Sequence, residues 1–159
     1  MDKSFSDKDM KRYIRNVIVY EDLANITPDK LLTMLPLVIL YQVERDYGHW
    51  TLLHRVRGSI EFFDSYGFKP DKEFEFIPEN MQQPKYIARM LCSIIDREPV
   101  SYNQYHLQER KRGVNTCGRW VVVRQMFSHV NIDAFTRGID NVSRELDVTG
   151  DDLVVLLTK

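Results

Sequence analysis

A cysteine becomes a useful nucleophile when three things serve it. It needs a base to make the thiolate, a group to orient that base, and donors for the oxyanion that forms on the attacked carbonyl. The chain has two cysteines and four histidines. Cys117 stands in NTCGRW, at the expected start of a helix, where free backbone N–H groups and the helix dipole favour an anion. Gly118 follows it, and the missing β-carbon leaves room for a substrate backbone. Read alone, Cys117 is equally well explained as a small residue of an apolar helix. Cys92 lies in RMLCSII, mid-helix between apolar neighbours, and reads as a core residue.

His49 opens an expected strand just after a turn, where it can reach a cleft; an exposed turn histidine is the plainer alternative. Asp64 closes the strand in FFDSYG, at the edge of the core, where a carboxylate needs a partner. It could equally cap the turn made with Ser65 and Gly67. If the two strands pair, His49 and Asp64 lie side by side at one edge of the sheet. Gln108 and Gln104 both stand upstream of Cys117 and either amide could donate to an oxyanion; spacing does not choose between them. His54, His106 and His129 read as structural or solvent-facing.

The elements that must position these residues follow from local patterns. Ser6 caps an expected helix to about Arg15, and Thr27-Pro28 opens a second over DKLLTML. LVILYQV, from Leu37 to Val43, is a buried-strand pattern. Asp46-Tyr47-Gly48 is turn chemistry. Trp50–Val56 and Ser59–Phe63 read as two more strands joined at Gly58, which makes an antiparallel meander. Pro84 to Ile95 has helical apolar spacing, and Val100–Tyr102 reads as a short edge strand. Gln108 to Asn115 is a polar loop. A helix buried on most sides runs from Thr116, and two more cover about Ile132–Leu146 and Asp151–Leu157. The expected fold is α+β: a small, mostly antiparallel sheet packed against helices, with Cys117 at the N-terminus of a central buried helix.

At 159 residues the chain has the size of one ordinary domain, residues 1–159. A chain of that length buries roughly 68–70% of its unfolded surface and needs no disulfide or metal to hold a core. A formal charge of −1 gives no general attraction to nucleic acid or membrane. Two cysteines make neither a disulfide scaffold nor a four-cysteine zinc site, and no CxxC or HExxH occurs. The charged start, MDKSFSDKDMKRYIR, is not expected to be a signal peptide. The longest apolar run, Leu35 to Tyr41, is too short to span a bilayer.

GHWTLL, IEFFDSYG, YHLQ and NTCGRW, in that order, resemble the active-site motifs of the Ulp1/adenain-like cysteine peptidases. That group includes SUMO-processing proteases and the maturation proteases of adenoviruses and related large DNA viruses. The resemblance spans about Leu37 to Phe127. Papain-like enzymes place Cys before His, so the order separates the two groups. The resemblance implies Cys117 as nucleophile, His49 as general base and Asp64 as the group that orients the imidazole. It implies Gln108, with the backbone N–H of Cys117, as the oxyanion hole, and Trp50 as the cleft wall beside His49. It implies no metal and no cofactor. The loop QERKRGVNTC departs from the pattern, being longer and more basic than is usual in the family.

NTCGRW and the compact length are most similar to proteases of giant viruses and virophages. The implied activity is therefore an endopeptidase that cleaves viral capsid or other structural precursors after small, Gly-rich sequences. It would act in the cytoplasm of the infected cell or inside the virion. An isopeptidase acting on ubiquitin-like proteins shares the chemistry, and a catalytically silent binding module could share the fold. Adenovirus-type members are helped by DNA and by a peptide. Arg110, Lys111 and Arg112 form the one candidate basic site for such an activator, and a solvated loop is the better account of the run.

Overall fold

The computed structural model describes residues 4–44, 47–72, 91–92 and 98–159. Its first helix, α1 (Asp7–Lys11), begins with a capping box: Ser6 Oγ accepts from the Asp9 N–H, and the Asp9 carboxylate accepts from the Ser6 N–H. It is shorter than expected, because the chain turns after Lys11 into strand β1 (Asn16–Val19). The three successive β-branched residues of NVIV are a strand signal that a helix reaching Arg15 runs up against. A 3₁₀ helix (Tyr20–Asn25) follows, then α2 (Pro28–Thr33), which has threonine at its cap and proline in its first turn as expected.

Strands β2 (Leu37–Glu44), β3 (Tyr47–Val56) and β4 (Ser59–Phe63) form the expected antiparallel meander. Tyr47 and Gly48, expected in a turn, already belong to β3. Arg57 and Gly58, both at positive φ, make the two-residue turn from β3 to β4. Strand β5 (Val100–Tyr102) pairs with β4, and the sheet order is β1-β2-β3-β4-β5. Both outer pairings, β1 with β2 and β4 with β5, are parallel. The sheet is thus mixed: the meander is local, and the edge strands arrive by longer connections that allow parallel pairing. The expected helix over Pro84–Ile95 lies outside the described residues except for Leu91 and Cys92.

Alternation along the strands divides the core in two. Val38, Leu40, Trp50, Leu52 and Phe63 face one side, where α1, α3 (Cys117–Met126), α4 (Ile132–Leu146) and α5 (Gly150–Leu157) contribute Met10, Trp120, Val121, Phe135 and Leu153. Leu37, Ile39, Tyr41, Leu53 and Phe62 face the other, against Leu23, Leu31 and Leu91. Strand β2 is apolar on both faces because both are covered. The class is α+β, as expected. The helix bearing Cys117 lies against β3 with seven buried residues in its ten.

Candidate functional site

The β3–β4 register pairs Leu52 with Phe63, so Asp64 stands just past the ladder at the sheet end where β3 begins. There its Oδ1 accepts from His49 Nε2 at 2.8 Å and from the Tyr66 N–H at 2.8 Å. Asp64 therefore both caps its turn and holds the imidazole, so the two readings of this residue coexist. Tyr66 stacks on the His49 ring, with centroids 4.7 Å apart and planes within 9°. Asn103 fixes the turn from below, donating to Asp64 O at 2.7 Å. Neither Tyr66 nor Asn103 stood out in the sequence; the aromatic directly after Asp64-Ser65 was the available signal.

Asp64 takes Nε2, which leaves Nδ1 for a second partner, and the Cys117 thiol is hydrogen-bonded to the ring. Burial pushes the imidazole toward its neutral form. The Asp64 charge and the hydrogen bonds that the ring donates to Asp64 and to the Cys117 sulfur outweigh that and hold its pKa well above the usual range. His49 and Cys117 are only 7% and 8% exposed, so little of the pair meets solvent.

A second polar cluster, buried at Arg124, Glu61 and His54, ties together the elements that carry these residues. Arg124 of α3 donates through Nε to Glu61 Oε1 at 2.9 Å and through a terminal nitrogen to Oε2 at 3.2 Å. His54 of β3 bonds the same carboxylate through Nε2 at 3.0 Å and Gln125 through Nδ1 at 2.8 Å. Burial opposes the Glu61 charge, but the bonds and charges of His54 and Arg124 prevail and hold its carboxyl below the usual range. His54 thus has a structural place, as expected. His106 is exposed and meets Tyr66 edge-on at 6.1 Å.

Gln108 is buried and Gln104 exposed. The Gln108 amide donates to Val114 O at 3.0 Å and its oxygen accepts from Ser65 Oγ at 2.7 Å, which fixes the amide's orientation. Gln108 is thereby fastened to the residue after Asp64 and to the loop just before Cys117. Thr116, Trp120 and the backbone of Glu109 all converge on Asp151, a residue the sequence reading passed over.

Trp50 lies on the face opposite His49 and is buried, its indole N–H donating to Phe5 O at 3.1 Å. A β-carbon on Gly118 would stand 2.9 Å from Phe5 Cβ, 3.0 Å from Trp50 Cδ1 and 3.2 Å from Met10 Cε. The small size expected to admit substrate is therefore used, on that side, to admit the N-terminal segment. Cys92, expected in the core, is instead exposed, its thiol donating to Pro70 O at 3.6 Å. Of the basic run, Arg110 lies over the rings of Phe68 and Tyr66, at 4.3 and 5.3 Å. Arg110, Lys111 and Arg112 are all exposed. Among the described residues no group of His, Cys, Asp and Glu is placed to hold a metal, and no helix is long and apolar enough to cross a membrane.

Fold and site define an α+β protein with a buried Cys-His-Asp chain at one end of a mixed sheet that has five strands among the described residues. An uncharacterized protein of Sputnik virophage, V9, is 34% identical to this chain over 150 residues, covering 90% of the chain and 82% of V9. The chain belongs to the family of that virophage protein. No family model matches the chain, and no solved structure matches it.

Proposed function

We propose that this chain is a cysteine endopeptidase that cleaves structural precursors of a virus particle. The observation that carries the reading is the His49 imidazole, held between the Asp64 carboxylate at 2.8 Å and the thiol of Cys117, the first residue of a buried helix. Cys117 sulfur adds to the scissile carbonyl carbon, and the oxyanion takes hydrogen bonds from the Cys117 N–H and the Gln108 amide. Collapse of that adduct breaks the C–N bond, and the proton on His49 goes to the leaving amine. Water then attacks the thioester, with His49 taking its proton, and the free thiol returns. The raised proton affinity of His49 suits it to the acid step. Asp64 keeps the ring oriented and stabilises its charge.

Kinship with a virophage protein supports a viral substrate, and the low exposure of Cys117 suits small residues such as glycine at the cleavage point. The site of action would be the infected cell or the assembling particle. The exposed run Arg110, Lys111 and Arg112 is where an anionic activator, DNA or peptide, would bind. Incubation with Gly-Gly and Gly-X-Gly peptides, virophage capsid precursors and ubiquitin-like precursors, read by mass spectrometry, tests the reading. Cleavage after small residues that disappears in Cys117→Ala is expected. No cleavage of any substrate, or cleavage that survives Cys117→Ala, would overturn it.

A further inference from the structure

We propose that Asp151 is a positioning residue that sets the spacing of the oxyanion donors; the inference rests on the peptidase reading above. Those donors are the Cys117 N–H and the Gln108 amide, which sit on separate segments. Each segment is gripped, one residue from its donor, by the same carboxylate. Thr116, directly before Cys117, donates its hydroxyl to Asp151 Oδ1, and Trp120, one turn into α3, donates its indole N–H to the same oxygen at 2.8 Å. Glu109, directly after Gln108, donates its backbone N–H to Asp151 Oδ2 at 3.0 Å. Asp151 is 7% exposed and lies in the first turn of α5, far along the chain from either donor.

A buried carboxylate that accepts three such bonds resists displacement, because each freed donor would be left unpaired in the interior. Its two oxygens are rigidly spaced, so the two segments cannot drift apart independently. Ser65 and Val114 hold the Gln108 side chain itself, and Asp151 holds the loop that carries it. Oxyanion donors act only if they stand at hydrogen-bonding distance from where the charge develops. A clamp joining both carriers is therefore a device for transition-state geometry.

Asp151→Asn separates this role from general support. Thr116 and Trp120 both donate to Oδ1, so the asparagine oxygen must face them. Its amide nitrogen then faces the Glu109 N–H, donor against donor, and the grip on the Gln108 loop is lost while that on α3 stays. The test is steady-state kinetics on the best Gly-rich peptide for wild type, Asp151→Asn, Gln108→Ala and the double variant. The expected result is a fall in kcat of about 10- to 100-fold in Asp151→Asn, with KM within about twofold, since small misplacements cost that much. In the Gln108→Ala background the same substitution should cost far less, because the donor it aims has gone. An undiminished effect there, or wild-type kcat in Asp151→Asn, would overturn the proposal while leaving the peptidase reading standing. An inactive wild type would sink that reading and, with it, the clamp. Should Asp151→Asn fail to fold, Thr116→Val, which removes the hydroxyl from the other grip, takes its place in the cycle. Failure of both to fold would make Asp151 a folding requirement and end the claim of positioning.

Discussion

At His49 three forces compete: burial opposes the charged ring, and the Asp64 carboxylate and the Cys117 sulfur, as acceptors from it, favour it. The balance favours the proton, and two predictions belong at this scale. An ordinary thiol near pKa 8.5 is well under about 1% thiolate at pH 6. Cys92 is the exposed cysteine and Cys117 the buried one, so exposure alone favours labelling of Cys92. If the imidazolium activates Cys117, iodoacetamide at pH 6 should instead modify Cys117 about tenfold faster or more. Peptide mapping by mass spectrometry reads this directly, and faster labelling of Cys92 would detach His49 from the thiol. The alkaline limb of kcat/KM should report loss of the His49 proton and lie above the ordinary imidazole value of about 6.5. Asp64→Asn keeps an oxygen for the ring but removes the charge. It should move that limb toward lower pH and lower kcat, and an unmoved limb would assign it to another group.

The elements divide the labour. Strands β3 and β4 present His49 and Asp64 at one sheet end, and α3 brings Cys117 there along one face. The Arg124–Glu61–His54 cluster locks the helix onto both strands. The N-terminal segment locks it from the other side, through the contact of Phe5 and Met10 with Gly118. Gly118→Ala tests that contact. The added methyl would stand 2.9 Å from Phe5 Cβ, closer than carbon atoms pack, so the segment or the Trp50 ring must move. Overpacking of this kind costs about 1–3 kcal/mol, partly offset by up to about 1 kcal/mol of helix propensity gained over glycine. A lowered melting temperature is expected, and a variant as stable as wild type would show that the segment yields freely.

For the whole molecule, two of the perturbed groups, Glu61 and His49, act at opposite ends of the pH range. Glu61 has a depressed pKa in the folded state, so its contribution is full above the unfolded value of about 4.3 and is lost as pH falls through the folded value. His49 has a raised pKa, so its contribution is full below about 6.5 and is lost as pH rises through the folded value. Both contributions are therefore complete at about pH 5–6, and urea midpoints should be highest there, as far as these two groups decide it. His49→Gln should flatten the alkaline decline and Glu61→Gln the acid one. Midpoints measured from pH 4 to 9 check this; an alkaline decline unchanged in His49→Gln would show that other groups cause it.

Much of this architecture is legible one segment at a time. Helix α4 occupies Ile132–Leu146 as read from sequence, because its apolar spacing and the Asn131 cap, which accepts from Ala134 N at 2.8 Å, lie within a few residues of one another. The meander and the strand ends bearing His49 and Asp64 are local too, set by alternation and by the Arg57–Gly58 turn. What the sequence by itself determined, then, was the α+β class, most of the elements and the order His, Asp, Gln, Cys along the chain. Only the tertiary structure decided that the edge strands pair in parallel, that Cys92 faces solvent and that Gly118 makes room for Phe5. It also decided that Asp151 meets Thr116, Trp120 and Glu109 across 31 to 42 residues of chain. Hydrophobic period and capping are encoded by near neighbours, whereas partners for buried polar groups are chosen by packing, and no local pattern of residues names them.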